Sequence, residues 1–290
     1  MAAADDATFD SPEDLSEEER EAVETLMRSL ADDELVLAER YTEWQVRAPT
    51  LESDISLANI AQDELGHARL WYEVVKQFGY DETDLIWERD AADFTHSTLV
   101  ELPFEEGDWS DAIVRGYLYD VAEDIRLHAL EDSSYAPIRD RVGKVLDEEE
   151  YHLEYAENWL ERLAADDEGR QSLQDAVDRL YPYALTLFEP VDEDVEQRIV
   201  ELGLRDTPLV ELRDEWHDRV SGFLESIGVG VPDFDLPEQY DVHVSPSDLP
   251  EHVGRDGNHT EDWEQLLDEM TETYDELGRD YASTIMTQDE

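Results

Sequence analysis

The sequence predicts an all-α protein built on a four-helix bundle, with additional C-terminal helices and a long irregular segment. Apolar residues recur at helical spacing along four long stretches, and no strand pattern of useful length occurs. The second and fourth stretches each carry a carboxylate and an imidazole three residues apart, Glu64 with His67 and Glu149 with His152. Because residues at this spacing share one helix face, both pairs are predicted to lie on the apolar side of the bundle.

Composition divides the chain into three regions. Residues 1–14 form an acidic tail without an apolar stretch, so we predict disorder there and no signal peptide. Residues 15–227 are predicted to form the bundle with its accessory helices, and residues 228–290 an extended wrapping segment and a C-terminal helix. The stretch 228–258 is rich in Pro and Gly, and long irregular segments often wrap the body of a protein or a partner.

Capping residues, glycines and prolines set the predicted helix ends. Ser16 and Glu19 form a capping box that starts the first helix, which is expected to break near Asp32. Pro137 lies in the first turn of the fourth helix, and Pro182 is expected to kink the fifth. A crossover over 80–109 joins the two helical pairs. The predicted helices span residues 16–47, 50–79, 110–131, 137–165, 172–188, 192–202, 208–226 and 260–286.

Charge is the extreme feature of the composition. The 290 residues include 79 Asp and Glu but 21 Lys and Arg, which gives a net charge of −58. Nucleic acid is excluded as a partner because phosphate binding needs basic patches, and no apolar run is long enough to cross a membrane. We interpret the acidity as adaptation to a high-salt cytoplasm, since at molar salt the Debye length falls to about 3 Å. The alternative is an acidic interaction surface.

The chain lacks cysteine, so a metal site must use histidine and carboxylate ligands. Ferritin-like di-iron bundles use two Glu-x-x-His pairs and one carboxylate from each of two further helices. Glu39 and Glu123 suit those two roles, because Glu39 precedes Glu64 by 25 residues and Glu123 precedes Glu149 by 26. A di-iron or di-manganese site is therefore predicted, with Asp120 as an acceptor for a ligand His N–H or as an alternative ligand. The predicted ligands are Glu39, Glu64, His67, Glu123, Glu149 and His152.

In so acidic a chain, a carboxylate three residues before a histidine is weak evidence by itself. Five of the eight histidines have one, and we interpret His96, His217 and His259 as surface or capping groups. The alternative to a metal centre is a relic bundle whose polar centre is satisfied by hydrogen bonds and water. Burying unbalanced ions costs several kcal/mol each, so one or the other must balance the charge.

Two further residue types leave alternatives open. Arg40, Arg47 and Arg69 are interpreted as surface ion-pairing residues, the alternative being contacts to an acyl-CoA phosphate or to a partner's carboxylates. Tryptophans at helical spacing are interpreted as core or interface residues, the alternative being a radical relay. They include Trp44, Trp71, Trp109 and Trp159.

Three stretches of the sequence resemble one family of oxygenase subunits. They are DDELVLAERYTEW at 32–44, ESDISLANIAQDELGHARL at 52–70 and GRDGNHTE at 254–261. On these runs, and on similarity over roughly residues 25–280, the chain resembles the C subunit of the ring-1,2-phenylacetyl-CoA epoxidase, the phenylacetate monooxygenase of the ferritin-like superfamily.

The resemblance implies a ferritin-like oxygenase fold and a place in a multicomponent complex. In that family the A subunit is the catalytic di-iron partner that epoxidises phenylacetyl-CoA with O₂, and the C subunit is a related scaffold. A reductase that uses NADPH and other oxygenase components are also implied, and the acyl-CoA substrate is expected at the interface. C subunits often lack part of the ligand set, whereas here all six predicted positions carry a competent ligand.

Three functions follow as hypotheses. The favoured one is a cytoplasmic component of the epoxidase complex that pairs with the catalytic partner, either with its own di-metal site or, in a purely structural role, with no cofactor. The second is a self-contained ferritin-like di-iron oxidase or oxygenase. The third is an iron-storage or peroxide-scavenging bundle that forms a large homo-oligomer.

Overall fold

In the computed structural model, which describes residues 8–104, 107–232 and 249–277, the chain is built from helices. Over these residues the strand-like structure is one isolated bridge between Phe9 and Tyr135, so the all-α prediction is confirmed. None of the described helices is both long and apolar enough to span a membrane. The helices are α1 (Glu17–Trp44), α2 (Leu51–Lys76), α3 (Thr98–Glu101), α4 (Trp109–His128), α5 (Ala136–Leu163), α6 (Asp167–Ala184), α7 (Glu193–Glu201), α8 (Leu209–Ser226) and α9 (Glu261–Leu277).

Two antiparallel helix pairs form the bundle, α1 with α2 and α4 with α5. Residues 45–50 connect the first pair and residues 129–135 the second, and such short connections bring consecutive helices into antiparallel contact. α2 also packs on α5, while α6 and α8 cover α4, and α7 covers α1. The crossover between the pairs contains α3, a π-helical turn at Thr83–Trp87 and a 3₁₀ turn at Ala91–Asp93.

α1 runs through Asp32 without the predicted break. Asp32, Asp33 and Glu34 are all buried within it. Asp32 accepts hydrogen bonds from both terminal nitrogens of Arg89, at 2.7 and 2.8 Å, and from Tyr72 Oη at 2.5 Å. These bonds compensate the burial of the carboxylate and hold a residue of low helix propensity in the middle of a helix.

The start of the chain differs from the predicted disorder. The Phe9 amide donates to the Ser134 carbonyl over 2.8 Å, and the Ala136 amide donates to the Phe9 carbonyl over 2.8 Å. A 3₁₀ turn at Pro12–Asp14 follows. These backbone bonds tie residues 8–14 to the connection before α5, an attachment that no local pattern indicates. Residues 1–7 lie outside the described part of the chain.

The described part of the C-terminal segment packs on the crossover. Gly254 has a φ of +82°, and a Cβ there would lie 2.2 Å from the His96 carbonyl oxygen, so only glycine fits. At the start of α9, Trp263 is fully buried and donates Nε1 to the Ala91 carbonyl over 3.1 Å. Residues 233–248, and the predicted helix beyond Leu277, lie outside the described residues, so the wrapping of 233–248 stays a prediction.

Arg40 is a buried brace and not the surface residue that was predicted. Its Nε donates to the Glu101 carbonyl over 2.7 Å and its Nη2 to the Asp262 carbonyl over 2.9 Å, so it joins α1 to α3 and α9. Arg47 and Arg69 are exposed, in keeping with surface cations.

The tryptophans of the bundle pack as core aromatics. Trp44 and Trp71 are buried. Trp109 meets Trp159 edge to face, with ring centroids 5.3 Å apart. This packing is the core role expected for them.

Candidate metal centre

Carboxylate and imidazole side chains from three helices converge at the centre of the bundle. α1 supplies Glu34, α2 supplies Glu64 and His67, and α5 supplies Glu149 and His152, each at most 1% exposed. Candidate ligand atoms of Glu34, Glu64 and His67 lie within 4.8 Å of one another, as do those of Glu64, Glu149 and His152. The bundle therefore holds two overlapping groups of donors that share Glu64.

Each histidine is oriented by an acidic residue on the other histidine's helix. His67 Nε2 donates to Glu148 Oε2 over 2.9 Å, and His152 Nε2 lies 3.5 Å from Asp63 Oδ2. Glu148 directly precedes Glu149, and Asp63 directly precedes Glu64, so the arrangement is the same on both sides. A carboxylate that accepts the Nε2 proton leaves Nδ1 as the donor atom toward the cluster.

Glu64 and Glu149 lie between the two histidines. Glu149 Oε1 is 3.2 Å from Nδ1 of both His67 and His152. Glu64 presents Oε2 to His67 Nδ1 at 3.8 Å and Oε1 to His152 Nδ1 at 3.6 Å. A carboxylate with one oxygen toward each imidazole is placed to bridge two cations.

The structure brings Glu34, and not the predicted Glu39, into the cluster. Glu39 is half-buried and lies about 140° around α1 from Glu34, because an α-helix turns once in 3.6 residues. Burial raises the pKa of Glu39, with no contribution from the cluster carboxylates. The prediction matched distances from the helix ends, since Glu39 lies five residues before the end of α1 and Glu123 five before the end of α4. The cluster in fact lies farther from the end of α1, ten residues before Trp44.

α4 offers two carboxylates one turn apart, Asp120 and Glu123, and both are buried. Glu123 is already paired, because Arg126 Nη2 donates to its Oε2 over 2.6 Å. Asp120 lines a small cavity together with His152. Of the two, Asp120 therefore has the carboxylate that remains available to the His152 side of the centre.

The corrected position on α1 also changes the repeat between the two helical pairs. Glu34 precedes Glu64 by 30 residues, and Asp120 precedes Glu149 by 29. The same relation for Glu123 gives 26. The repeat thus pairs Glu34 with Asp120, the residue that the sequence had offered as an alternative ligand.

Most polar atoms at the centre have no hydrogen-bond partner within the described residues. Buried polar atoms are almost always paired, and unbalanced buried charge costs several kcal/mol per ion. Carboxylate oxygens and imidazole nitrogens are suitable ligands for iron and manganese, so the residues fit such a group. The unpartnered atoms include both carboxylate oxygens of Glu34, Glu64 and Glu149, Nδ1 of His67 and His152, and Oδ1 of Asp120.

The outer carboxylates of the centre favour their protonated forms. Burial raises the pKa of Glu34 well above its usual value, and the neighbouring Glu123 adds to the rise. Burial and the nearby Glu149 likewise raise the pKa of Asp120 well above its usual value. Both carboxyls must release protons before they bind a cation.

The inner carboxylate and the two histidines share charge in the opposite sense. Burial alone would raise the pKa of Glu149, but His152 and His67 lower it to about 2. Burial alone would lower the histidine pKa values, but Glu149 and Glu64 raise the pKa of His67 to about 10, and Glu149 and Asp63 raise that of His152 well above its usual value. A cation at this centre therefore competes with protons on both imidazoles.

Comparison with known proteins decides the family. A family model described as phenylacetic acid catabolic protein matches residues 3–278. The chain belongs to this family. It is 32% identical to the C subunit of the 1,2-phenylacetyl-CoA epoxidase of Escherichia coli (strain K12) over 247 residues, which cover 83% of this chain and 91% of that protein. The A subunit of the same epoxidase is 30% identical over 196 residues, which cover 67% of this chain and 63% of that protein.

The family match also covers a second histidine cluster, where surface or capping groups were predicted. His96 Nε2 and His259 Nδ1 both donate to Glu101 Oε2 over 2.7 Å, and the two rings stack with centroids 4.1 Å apart. His259 Nε2 donates to the Phe94 carbonyl over 2.9 Å, an arrangement that suits an imidazolium. The prediction was wrong because the partners are distant in sequence. His217 is half-buried, with Nδ1 2.5 Å from Tyr181 Oη.

Acid is expected to loosen this second cluster. Burial and the adjacent His259 lower the pKa of His96, and the two histidines, against the effect of burial, lower the pKa of Glu101 to about 2. The unfolded chain binds these protons near pH 6.5 and 4.5, so both groups lose stabilisation as pH falls. We expect the His96 contribution to cost about 1 kcal/mol of unfolding free energy between pH 7.5 and 5.5. Urea unfolding at the two pH values, compared with a His96→Gln variant, measures it; equal pH dependence in both chains would contradict the expectation.

Proposed function

We propose that this chain is the C-type component of a phenylacetyl-CoA epoxidase, paired with a catalytic A-type subunit in aerobic phenylacetate catabolism. The observation that carries the proposal is the extent of the likeness, which reaches 91% of the E. coli C subunit but 63% of its A-type counterpart. The same proposal includes a reductase and further oxygenase components, and an acyl-CoA contact at the interface between the two bundles.

The space beside the centre favours a supporting role over oxidation of the substrate in this chain. A cavity lined by Asp120 and His152, together with Tyr41, Trp109 and Tyr155, measures about 20 Å³ for the centre of a water molecule. This is room for roughly one water, whereas a cavity that binds benzene measures about 150 Å³. The phenyl group of the acyl-CoA does not fit, so we assign its oxidation to the partner subunit.

We further propose that the centre binds two iron or manganese ions. A bound di-iron pair supplies O₂-reducing chemistry in bundles of this type. The chain's own residues hold the donors in place: Glu148 and Asp63 keep the Nε2 protons and direct both Nδ1 atoms inward, and Arg126 holds Glu123 aside. The proposed ligands are Glu34, Glu64, His67, Asp120, Glu149 and His152.

The same donor set favours a second candidate, a self-contained di-iron oxidase. Its ligand side chains come from one chain and need no partner residue. This candidate predicts that the metal-loaded chain alone consumes O₂ when a chemical reductant is supplied. The first proposal predicts no phenylacetyl-CoA epoxidation without the A-type subunit.

Reconstitution tests the first proposal. The chain, the A-type subunit of the same genome and the reductase are purified separately in molar KCl and then combined with phenylacetyl-CoA and NADPH. We expect the two bundles to elute as one complex, and the epoxide to form when both are present. Epoxide formed by this chain without the A-type subunit would favour the second candidate, and the absence of any complex would overturn the first.

We propose that the charge of −58 adapts the chain to a high-salt cytoplasm. Self-repulsion among 79 acidic residues is screened at molar salt and grows as salt is removed. Dialysis into low salt is therefore expected to unfold the chain, as followed by circular dichroism. Full stability in low salt would contradict this adaptation.

A further inference from the structure

The large apolar side chains that remain exposed gather on one side of the bundle. Among the described residues they are Val46, Leu51, Ile55 and Tyr151, with 88%, 69%, 53% and 44% of their surfaces exposed. Leu51 and Ile55 lie one turn apart on α2, and Tyr151 Oη bonds Ser56 Oγ over 3.2 Å, which places the α5 tyrosine beside them. We call Leu51, Ile55 and Tyr151, with the flanking Val46, the α2–α5 face.

This face also differs from other surfaces of the chain in its charge. On α9, seven of the nine exposed positions are Asp or Glu. On α2, one of the six exposed positions is acidic. Interface centres are depleted in charged residues, and a neutral, apolar stretch on so acidic a chain indicates a surface that another protein covers. The six exposed residues of α2 are Leu51, Glu52, Ile55, Asn59, Gln62 and Arg69.

Val46 adds a backbone observation at the edge of this face. Its φ is +67°, a left-handed conformation that a β-branched residue adopts at a cost of roughly 1–3 kcal/mol. The turn between α1 and α2 therefore holds an apolar side chain in water in a strained conformation. Strain of this kind is concentrated at binding and switch regions.

The α2–α5 face lies over the outer side of the two metal-site histidines. The Tyr151 ring meets the His152 ring edge to face, with centroids 6.2 Å apart. Asp63 and Glu148, which face the histidine Nε2 atoms, have side chains 39% and 35% exposed on the same two helices. A protein bound to this face would shield both acceptors from water.

We propose that the α2–α5 face is the docking surface for the A-type subunit, and that docking closes the outer side of the metal centre. This proposal rests on the proposed function. The occupant is a related helical bundle, because the chain is 32% and 30% identical to two different subunits of one enzyme. The face offers such a bundle apolar side chains on two neighbouring helices, with the exposed Arg69 farther along α2 for its acidic groups.

A pair of matched variants tests the docking surface. Leu51→Glu/Ile55→Glu places two charges in the face, and Gln197→Glu/Ser226→Glu adds the same charge at exposed positions of α7 and α8. Titration calorimetry in molar KCl with the A-type subunit is expected to show at least 30-fold weaker binding for the first variant and wild-type binding for the second. Circular dichroism melting in the same buffer verifies that both variants are folded.

The outcomes separate this proposal from the function on which it rests. If the wild-type chain does not bind the A-type subunit, the proposed function fails. If the wild type binds and Leu51→Glu/Ile55→Glu binds equally well, the docking surface alone is wrong. It is also wrong if those substitutions only dissociate a homodimer of this chain. As a second readout, removal of Mn²⁺ by a chelator is expected to slow at least tenfold in the complex, and an unchanged rate would refute closure of the centre.

Discussion

Replacing Asp33 with alanine is expected to destabilise the chain by about 3–5 kcal/mol, because it breaks a buried ion network. Asp33 is fully buried, and its Oδ2 accepts hydrogen bonds from Arg126 Nη1 over 2.8 Å and from Arg255 Nη2 over 2.7 Å. Its Oδ1 accepts the Ser97 amide over 2.8 Å. Without the carboxylate, two buried guanidinium groups lose a counter-ion that they share.

The same substitution is expected to loosen the C-terminal segment. Arg255 is buried and also donates to the Thr95 carbonyl over 2.7 Å, so it fastens residues 249–260 to α1 and the crossover. Limited proteolysis of the Asp33→Ala chain should therefore cut within this segment faster than in the wild type.

A surface ion pair provides the matched control. Arg198 and Glu21 lie 3.0 Å apart with side chains 26% and 60% exposed. Arg198→Gln is expected to change the unfolding free energy by less than about 1 kcal/mol, since water and salt screen such pairs. Urea unfolding at constant molar KCl compares the variants. An Asp33→Ala chain as stable as the Arg198→Gln chain would show that the buried network contributes little.

Substitution of Glu34 is expected to weaken metal binding strongly, whereas substitution of Glu39 is expected to leave it unchanged. Glu34 lies in the cluster with Glu64 and His67, while Glu39 is half-buried on another side of α1. Glu34→Gln keeps the shape of the side chain and removes one anionic ligand. Because loss of even an outer partner of a metal ligand costs about 10–100-fold in affinity, we expect at least about tenfold here.

The two carboxylates of α4 give a second comparison of the same kind. Asp120→Asn is expected to weaken metal binding as Glu34→Gln does, because Asp120 shares a cavity with His152. Glu123→Gln is expected to have a smaller effect, because Arg126 already binds Glu123. Equilibrium dialysis against Mn²⁺ at fixed pH and molar KCl measures all four variants. Equal losses in Glu39→Gln and Glu34→Gln would refute the corrected ligand set.

The sequence predicts the two Glu-x-x-His pairs well because their geometry is local. Glu64 with His67 and Glu149 with His152 lie three residues apart on apolar helix faces, and the structure brings both pairs together at the centre. The single carboxylates are different, since their position depends on how far each helix extends beyond the cluster. α1 continues farther past its carboxylate than α4 does past Glu123, so matched spacing selected Glu39.

Other features depend on contacts between distant parts of the chain. Local pattern makes the run Asp32-Asp33-Glu34 an unfavourable helix interior, yet Asp32 and Asp33 are balanced by arginines more than 50 residues away. His96 and His259 meet only because residues 249–260 pack on the crossover. Sequence periodicity carries no information about such pairings, although the GRDGNHTE run marked this segment through its family resemblance.

Metal content of the purified chain tests the central claim most directly. The wild type and a His67→Ala/His152→Ala variant are loaded with Mn²⁺, dialysed in molar KCl and analysed for bound metal per chain. We predict up to two ions per wild-type chain and none above background in the variant. Equal metal in both chains would show that the acidic surface binds it, and no metal in either would show that protons alone balance the buried donors.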